Sequence, residues 1–155
     1  MPVACALIPR FRLMAAVAEP RILKRPAALA PEPGAAQLIG EVSATAERFG
    51  LRLGMRMGEA LSRCPELALI PPDPERAESS WEEALRRLEG IGAEVESGRA
   101  GEAFFEAAGL GGLWGGIEGV LEGAREELGS SAQLGAAPER FCAYVAAGQS
   151  RVVPE

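Results

Sequence analysis

The amino-acid sequence predicts an α/β fold in which helices lie on one sheet. Three observations predict it. Short apolar runs bounded by proline and glycine alternate with amphipathic stretches of about three turns, which is the pattern of strands alternating with helices. The 155 residues, 48% of them hydrophobic, suffice for one domain of ordinary size with its own core. Nineteen glycines and twelve prolines imply many turns between short elements, yet stay below the level of a low-complexity chain.

The first element is the continuous apolar run Val3 to Ile8, a buried central strand that Pro9 ends. A short helix follows from Arg12 to Ala18. Ala28 to Ala30 and Leu38 to Val42 are short apolar stretches on either side of Pro-Glu-Pro-Gly, which predicts a hairpin. Ser43 caps a helix running to Phe49, and Gly50 is placed to end it in the left-handed conformation. A further helix, Arg56 to Cys64, stops at Pro65. Leu67 to Ile70 is a strand closed by Pro71 and Pro72.

A long amphipathic helix begins at Asp73, with Pro74 in its first turn and Trp81, Ala84, Leu85, Leu88 and Ile91 along one core-facing stripe. Val95 to Ala108 reads as two strands around Gly98-Arg99, followed by a glycine-rich loop from Gly109 to Gly116. The next helix sets Ile117, Val120, Leu121, Ala124 and Leu128 on one side. Ala132 to Gly135 is a strand, and a last helix covers Pro138 to Ala147.

Composition excludes several kinds of chemistry. The chain has no histidine, so Ser-His-Asp and Cys-His catalysis and histidine-ligated metals are out, and any chemistry rests on carboxylates, arginines or backbone. Cys5, Cys64 and Cys142 are odd in number, far apart and outside any CxxC spacing, which fits buried small hydrophobes better than disulfides or zinc. No uncharged apolar run approaches the roughly 18 residues of a membrane span. The opening residues lack a basic region before their short apolar stretch, so a soluble cytoplasmic protein is expected. The net charge of -6 hides an asymmetry: nine basic against five acidic residues through Arg63, and seven against seventeen beyond it. A basic half suits nucleic acid and an acidic half suits solvent or a protein.

Ala46-Glu47-Arg48-Phe49-Gly50-Leu51-Arg52-Leu53-Gly54-Met55, then Glu59-Ala60 with Cys64-Pro65, then Gly101 to Glu106 follow in this order and spacing. With the elements around them they resemble the palm and fingers of Y-family, translesion-type DNA polymerases over nearly the full length. The resemblance implies a ferredoxin-like βαββαβ palm, of α+β type, at residues 1–25 and 66–155, with a small, mostly helical fingers insertion at 26–65. It also implies that the chain stops at Pro154-Glu155, where the family's thumb would begin, leaving the thumb and little finger absent.

The family's chemistry needs two divalent cations held by carboxylates. Where it has Asp-Phe-Asp after the first strand, this chain has Pro9-Arg10-Phe11, and where it has Asp-Glu, this chain has Gly101-Glu102. Only Glu102 remains, beside a backbone carbonyl at Arg10. The triphosphate-binding Tyr and Arg fall at Ala44 and Glu47, the Lys of the later helix at Tyr144, and the aromatic that screens the sugar at Met14. A glutamate in place of a phosphate-binding cation turns attraction into repulsion. The pattern looks most like the catalytically degenerate ImuB group, which the Leu-Ile-Pro-Arg-Phe opening and the Gly-Leu-Gly-Gly-Leu-Trp-Gly-Gly segment also fit.

The resulting expectation is a non-catalytic adaptor of DNA repair and translesion synthesis, with no cofactor. Its partners would be DNA, bound weakly and without sequence preference, and DNA-repair or replicative polymerase proteins; it would be nucleoid-associated when DNA-bound. Gln37, Gln133 and Gln149 open no clamp-binding pattern. Arg48, Arg52 and Arg56 are the candidates for phosphate contacts, with ordinary surface arginines the alternative. Trp114 either stacks on a base or fixes a loop to the sheet. Two other functions stay open. One is an active nucleotidyltransferase that uses Mg²⁺ at a site rebuilt from Glu102, Glu106 or nearby acids. The other is an unrelated ferredoxin-like interaction or ligand-binding domain.

Overall fold

The computed structural model describes residues 2–150, 152 and 153. Pro154 and Glu155, where the thumb was expected to begin, lie outside them. Contacts divide the chain into two compact units, Met1–Pro9 with Ser79–Glu155, and Arg10–Glu78.

In the first unit four strands form one sheet: β1 (Val3–Leu7), β4 (Val95–Arg99), β5 (Glu102–Glu106) and β6 (Gln133–Ala137), in the order β4-β5-β1-β6 and antiparallel throughout. With α4 (Pro74–Glu89) between β1 and β4 and α6 (Ile117–Leu128) between β5 and β6, this is the expected βαββαβ order. Alternation along the strands builds both faces. Cys5, Phe104 and Ala137 point one way and are buried under Ala143 and Ala147 of α7 (Arg140–Gly148). Ala4, Ala6, Ala103, Phe105, Leu134 and Ala136 point the other way and are buried too. On that face Trp81 of α4 donates from Nε1 to Ser97 Oγ at 2.7 Å, and α6 packs along β6.

A backbone this close to a helix leaves room for no side chain at one position. A Cβ on Gly135 would lie 2.2 Å from the Ala147 nitrogen, so α7 seats directly on β6 because residue 135 is glycine.

Two readings of this unit change. The β4–β5 turn is Ala100-Gly101 rather than Gly98-Arg99; Gly98 instead lies where the register shifts within β4. The segment from Gly109 to Gly116 is not an open loop but a 3₁₀ turn at Ala108–Leu110 and a short helix, α5 (Gly111–Trp114). Trp114 explains it: its Nε1 donates to the Ile91 carbonyl at 3.1 Å and its ring lies against Gly123 of α6. The indole thus fixes this segment within the unit.

In the second unit β2 (Ala27–Leu29) pairs in parallel with β3 (Ala68–Ile70). The expected hairpin is reduced to a short antiparallel contact: the returning arm meets β2 through an isolated Ala28–Val42 bridge and bonds such as Leu29 N to Glu41 O at 2.9 Å, without forming a strand of its own. Pro31 and Pro33, which lack a backbone N–H, and Gly40 keep the pairing short, while β2 is paired in parallel by β3. Around this pair stand α1 (Phe11–Ala16), α2 (Ala44–Arg48) and α3 (Met57–Arg63), with a 3₁₀ turn at Pro20–Lys24. Ala28, Ile39, Val42, Ala46, Leu51, Ala60, Cys64 and Leu67 form one core cluster; Leu13, Val17 and Leu29 form another.

Ser43 organises this unit. It is fully buried, accepts from Ala46 N at 3.2 Å as the α2 cap, accepts from Ala27 N at 3.0 Å, and donates to the Arg25 carbonyl at 2.9 Å. Residues 10–25 belong with this unit because α1 buries Leu13 against Leu29.

Candidate functional site

The first unit carries Pro9, Gly101, Glu102 and Tyr144. Antiparallel pairing sets Glu102 opposite Leu7, and Ile8 N donates to the Gly101 carbonyl at 2.8 Å, so the end of β1 and the β4–β5 turn are held side by side. The two positions where a polymerase places carboxylates are therefore neighbours, but their residues, proline and glycine, offer no side-chain oxygen. Gly101 also has φ near 90°, a conformation that side-chain-bearing residues rarely adopt.

Glu102 is largely buried, and its Oε2 accepts from Arg99 Nε at 3.1 Å. It curls back over Gly98, where its Oε1 would sit 2.8 Å from an added Cβ. Glu106 lies four residues farther along β5, opposite Val3, roughly 13 Å away at strand rise. A pair of catalytic cations sits only about 4 Å apart, so Glu102 and Glu106 cannot share one such site. Among the described residues no three Cys, Asp or Glu side chains converge as a metal group. The donors present do not fit a two-cation clamp.

Beneath Glu102 in the sheet, burial and, secondarily, the Glu102 carboxylate push the Cys5 thiol up to about 12. Cys64 is buried as well, as expected, whereas Cys142 on α7 is exposed. Tyr144 is partly exposed on α7.

The second unit carries Arg10, Phe11, Met14, Ala44 and Glu47. Arg10 occupies the left-handed region, with φ 58°, immediately before α1. Its guanidinium is held twice: Nε donates to the Val42 carbonyl at 2.9 Å and Nη2 to Glu47 Oε1 at 2.8 Å. Glu41 Oε1 accepts from Leu13 N at 2.9 Å and so supplies the first turn of α1 with an acceptor. Phe11 opens α1, while Met14 and Ala44 are exposed.

The expected repulsion at Glu47 is thus modified, because its charge is matched by Arg10 inside the same unit. Sequence reasoning missed this pair; the cue was a basic residue in the motif itself, but 37 residues separate the partners. The pairing of Glu102 with Arg99, three residues away, was likewise overlooked.

Arg48 ends α2, Arg52 lies in the following loop, and Arg56 caps α3. All three are exposed, and none forms an ion pair among the described residues. Arg52 and Glu47 line an open cavity of about 530 Å³ with Leu51 and Leu53.

The family model described as impB/mucB/samB matches residues 11–148. The chain belongs to the impB/mucB/samB family. Among curated relatives, a DNA polymerase IV of Ralstonia nicotianae is 27% identical over 132 residues, which is 83% of this chain and 37% of the relative. A DNA polymerase IV of Pseudomonas entomophila is also 27% identical, over 83% of this chain and 37% of its own length. This impB/mucB/samB chain therefore spans little more than a third of these relatives.

Among solved structures, an insertion ternary complex of Dbh DNA polymerase superposes with a TM-score of 0.84 at 19% identity, covering 99% of this chain and 49% of that one. DinB from Sulfolobus solfataricus gives 0.81 at 18% identity, covering 98% and 47%. Y-family polymerase architecture is established by these matches, and an unrelated ferredoxin-like domain is set aside. Among the described residues no helix is long and apolar enough to cross a membrane.

Proposed function

We propose that this impB/mucB/samB chain is a non-catalytic, polymerase-like module of DNA repair and translesion synthesis, similar to the ImuB group and acting as an adaptor. The observation that carries the reading is the state of its acids. Glu102 and Glu47, the two carboxylates standing at the family's ligand positions, are each held by one of the chain's own arginines, Arg99 and Arg10. Cations and triphosphate would have to displace those partners, and Pro9 and Gly101 supply nothing in exchange.

DNA contact in this reading is sequence-independent and runs through Arg48, Arg52 and Arg56, which keep their charges unpaired among the described residues. The solved relatives are DNA polymerases, one of them captured as an insertion ternary complex, which supports DNA as a partner. DNA-repair or replicative polymerase proteins are the proposed protein partners, at a cytoplasmic, nucleoid-associated location.

Primer extension with Mg²⁺ or Mn²⁺ tests the reading: no nucleotide is incorporated, and incorporation above a protein-free control would overturn it. Fluorescence anisotropy with a labelled primer–template tests the DNA part separately. Binding is expected at low ionic strength and falls steeply with salt; its absence there would leave an adaptor that works through protein contacts alone.

A nucleotidyltransferase with a rebuilt Mg²⁺ site is the second reading, favoured by relatives bearing the name DNA polymerase IV. It needs a second carboxylate beside Glu102, and Glu106 stands at the opposite end of β5.

A further inference from the structure

The inner face of α7 is small and fully buried, with Ala143, Ala146 and Ala147 seated against the sheet. Its outer face is large and apolar. Phe141 is 75% exposed, and Tyr144 and Val145, three and four positions on, are 37% and 42% exposed. At this spacing they form one continuous stripe. Nothing among the described residues covers it.

Arg140, the residue before Phe141, borders a groove. Arg140, one turn before Tyr144, lies with its guanidinium 4.9 Å over the Phe104 ring and pairs with Glu96. Together with Val3, Glu94 and Glu106 these residues line a cavity of about 710 Å³. The groove holds three exposed carboxylates and one arginine; Arg140 pairs with Glu96, which leaves Glu94 and Glu106 without an ion-pair partner among the described residues. The unit around it carries thirteen acidic residues against six basic ones, whereas the Arg10–Glu78 unit carries nine against ten. A phosphate backbone approaching this surface meets repulsion, and a cationic chain meets attraction.

We propose that the outer face of α7 and the adjoining acidic groove form a docking surface for a cationic amphipathic segment of a partner protein. Apolar residues of that segment cover Phe141, Tyr144 and Val145, and its lysines or arginines face Glu94 and Glu106, with the Arg140–Glu96 pair between them adding no net charge. The proposal rests on the adaptor reading and gives it a partner chemistry. Nucleotide incorporation, which judges that reading, is not a readout of this surface, so the two fail separately.

The test uses the full chain, with a fluorescein-labelled Leu/Lys amphipathic helix as probe and a Leu/Glu helix and a single-stranded oligonucleotide as comparisons. Two variants are needed: Phe141→Ser with Val145→Ser, and Glu94→Gln with Glu96→Gln and Glu106→Gln. These positions are exposed, and circular dichroism verifies that both variants fold. The Leu/Lys helix binds, the Leu/Glu helix does not, added salt weakens binding, and each variant weakens it about tenfold or more.

Failure of the Leu/Lys helix to bind at low ionic strength, or equal binding by both variants, overturns the proposal. So does displacement of that helix by the oligonucleotide, which would assign the surface to nucleic acid. Self-association of the chain that disappears in the Phe141→Ser, Val145→Ser variant overturns it in favour of a second copy.

Discussion

Ser43 joins three segments through one hydroxyl, and its removal exposes how much of the Arg10–Glu78 unit depends on a single satisfied polar group. Ser43→Ala leaves the Ala27 N–H and the Arg25 carbonyl without their partner and removes the α2 cap. The expected loss is about 2–3 kcal/mol, read as a lower urea midpoint at unchanged slope. Cys5 gives a second residue-scale test. Its thiol is held neutral in the fold up to about 12 against an ordinary 9.0. Above pH 9 the unfolded chain loses that proton while the native chain keeps it, so stability present below 9 is lost as pH rises towards 12. Cys5→Ala makes the decline of the urea midpoint over that window shallower; an unchanged slope would show that the thiol does not titrate there. The cap at Ser43 was legible because Ser before an apolar helical stretch has a local meaning, but its bonds to Ala27 and Arg25 were not.

At the scale of elements, α7 and β6 depend on close backbone approach. Gly135→Ala forces a methyl into the main chain of Ala146 and Ala147, which cannot move aside as a flexible side chain would. A loss of about 3 kcal/mol is expected, with the thermal midpoint as readout. The β4–β5 turn offers the complementary case. Gly101→Asp, which reinstates the polymerase residue, places a side chain at φ 90° and costs about 1–2 kcal/mol, without restoring nucleotide incorporation in extension assays. Alternating apolar residues revealed the strands, and the 3.6-residue period revealed α4 and α6. Turn positions and the partner of β2 were not readable that way. Gly98-Arg99 and Ala100-Gly101 both look like turns locally, and a parallel partner 41 residues away leaves no local trace.

For the whole molecule, charge distribution divides the proposed roles between two units, one carrying unpaired arginines and the other carrying excess acid. Replacing Arg48, Arg52 and Arg56 together by Gln is expected to weaken primer–template binding and to flatten its dependence on salt by about three log units of slope at most, measured by anisotropy across a salt series. An unchanged slope would remove these arginines from the DNA contact.

By itself, the order of apolar runs determined an alternation of strands and helices, because burial of one face per strand or helix writes a short-range period into the chain; the βαββαβ plan came with the resemblance of the motifs to Y-family polymerases. The missing carboxylates at Pro9 and Gly101 were equally plain, since an absent functional group needs no coordinates to be seen. Only tertiary structure decided what the remaining charges do. Arg10 meets Glu47, Arg99 turns onto Glu102, and the stripe on α7 is left uncovered, because ion pairing and exposure depend on distances in space that sequence separation does not encode.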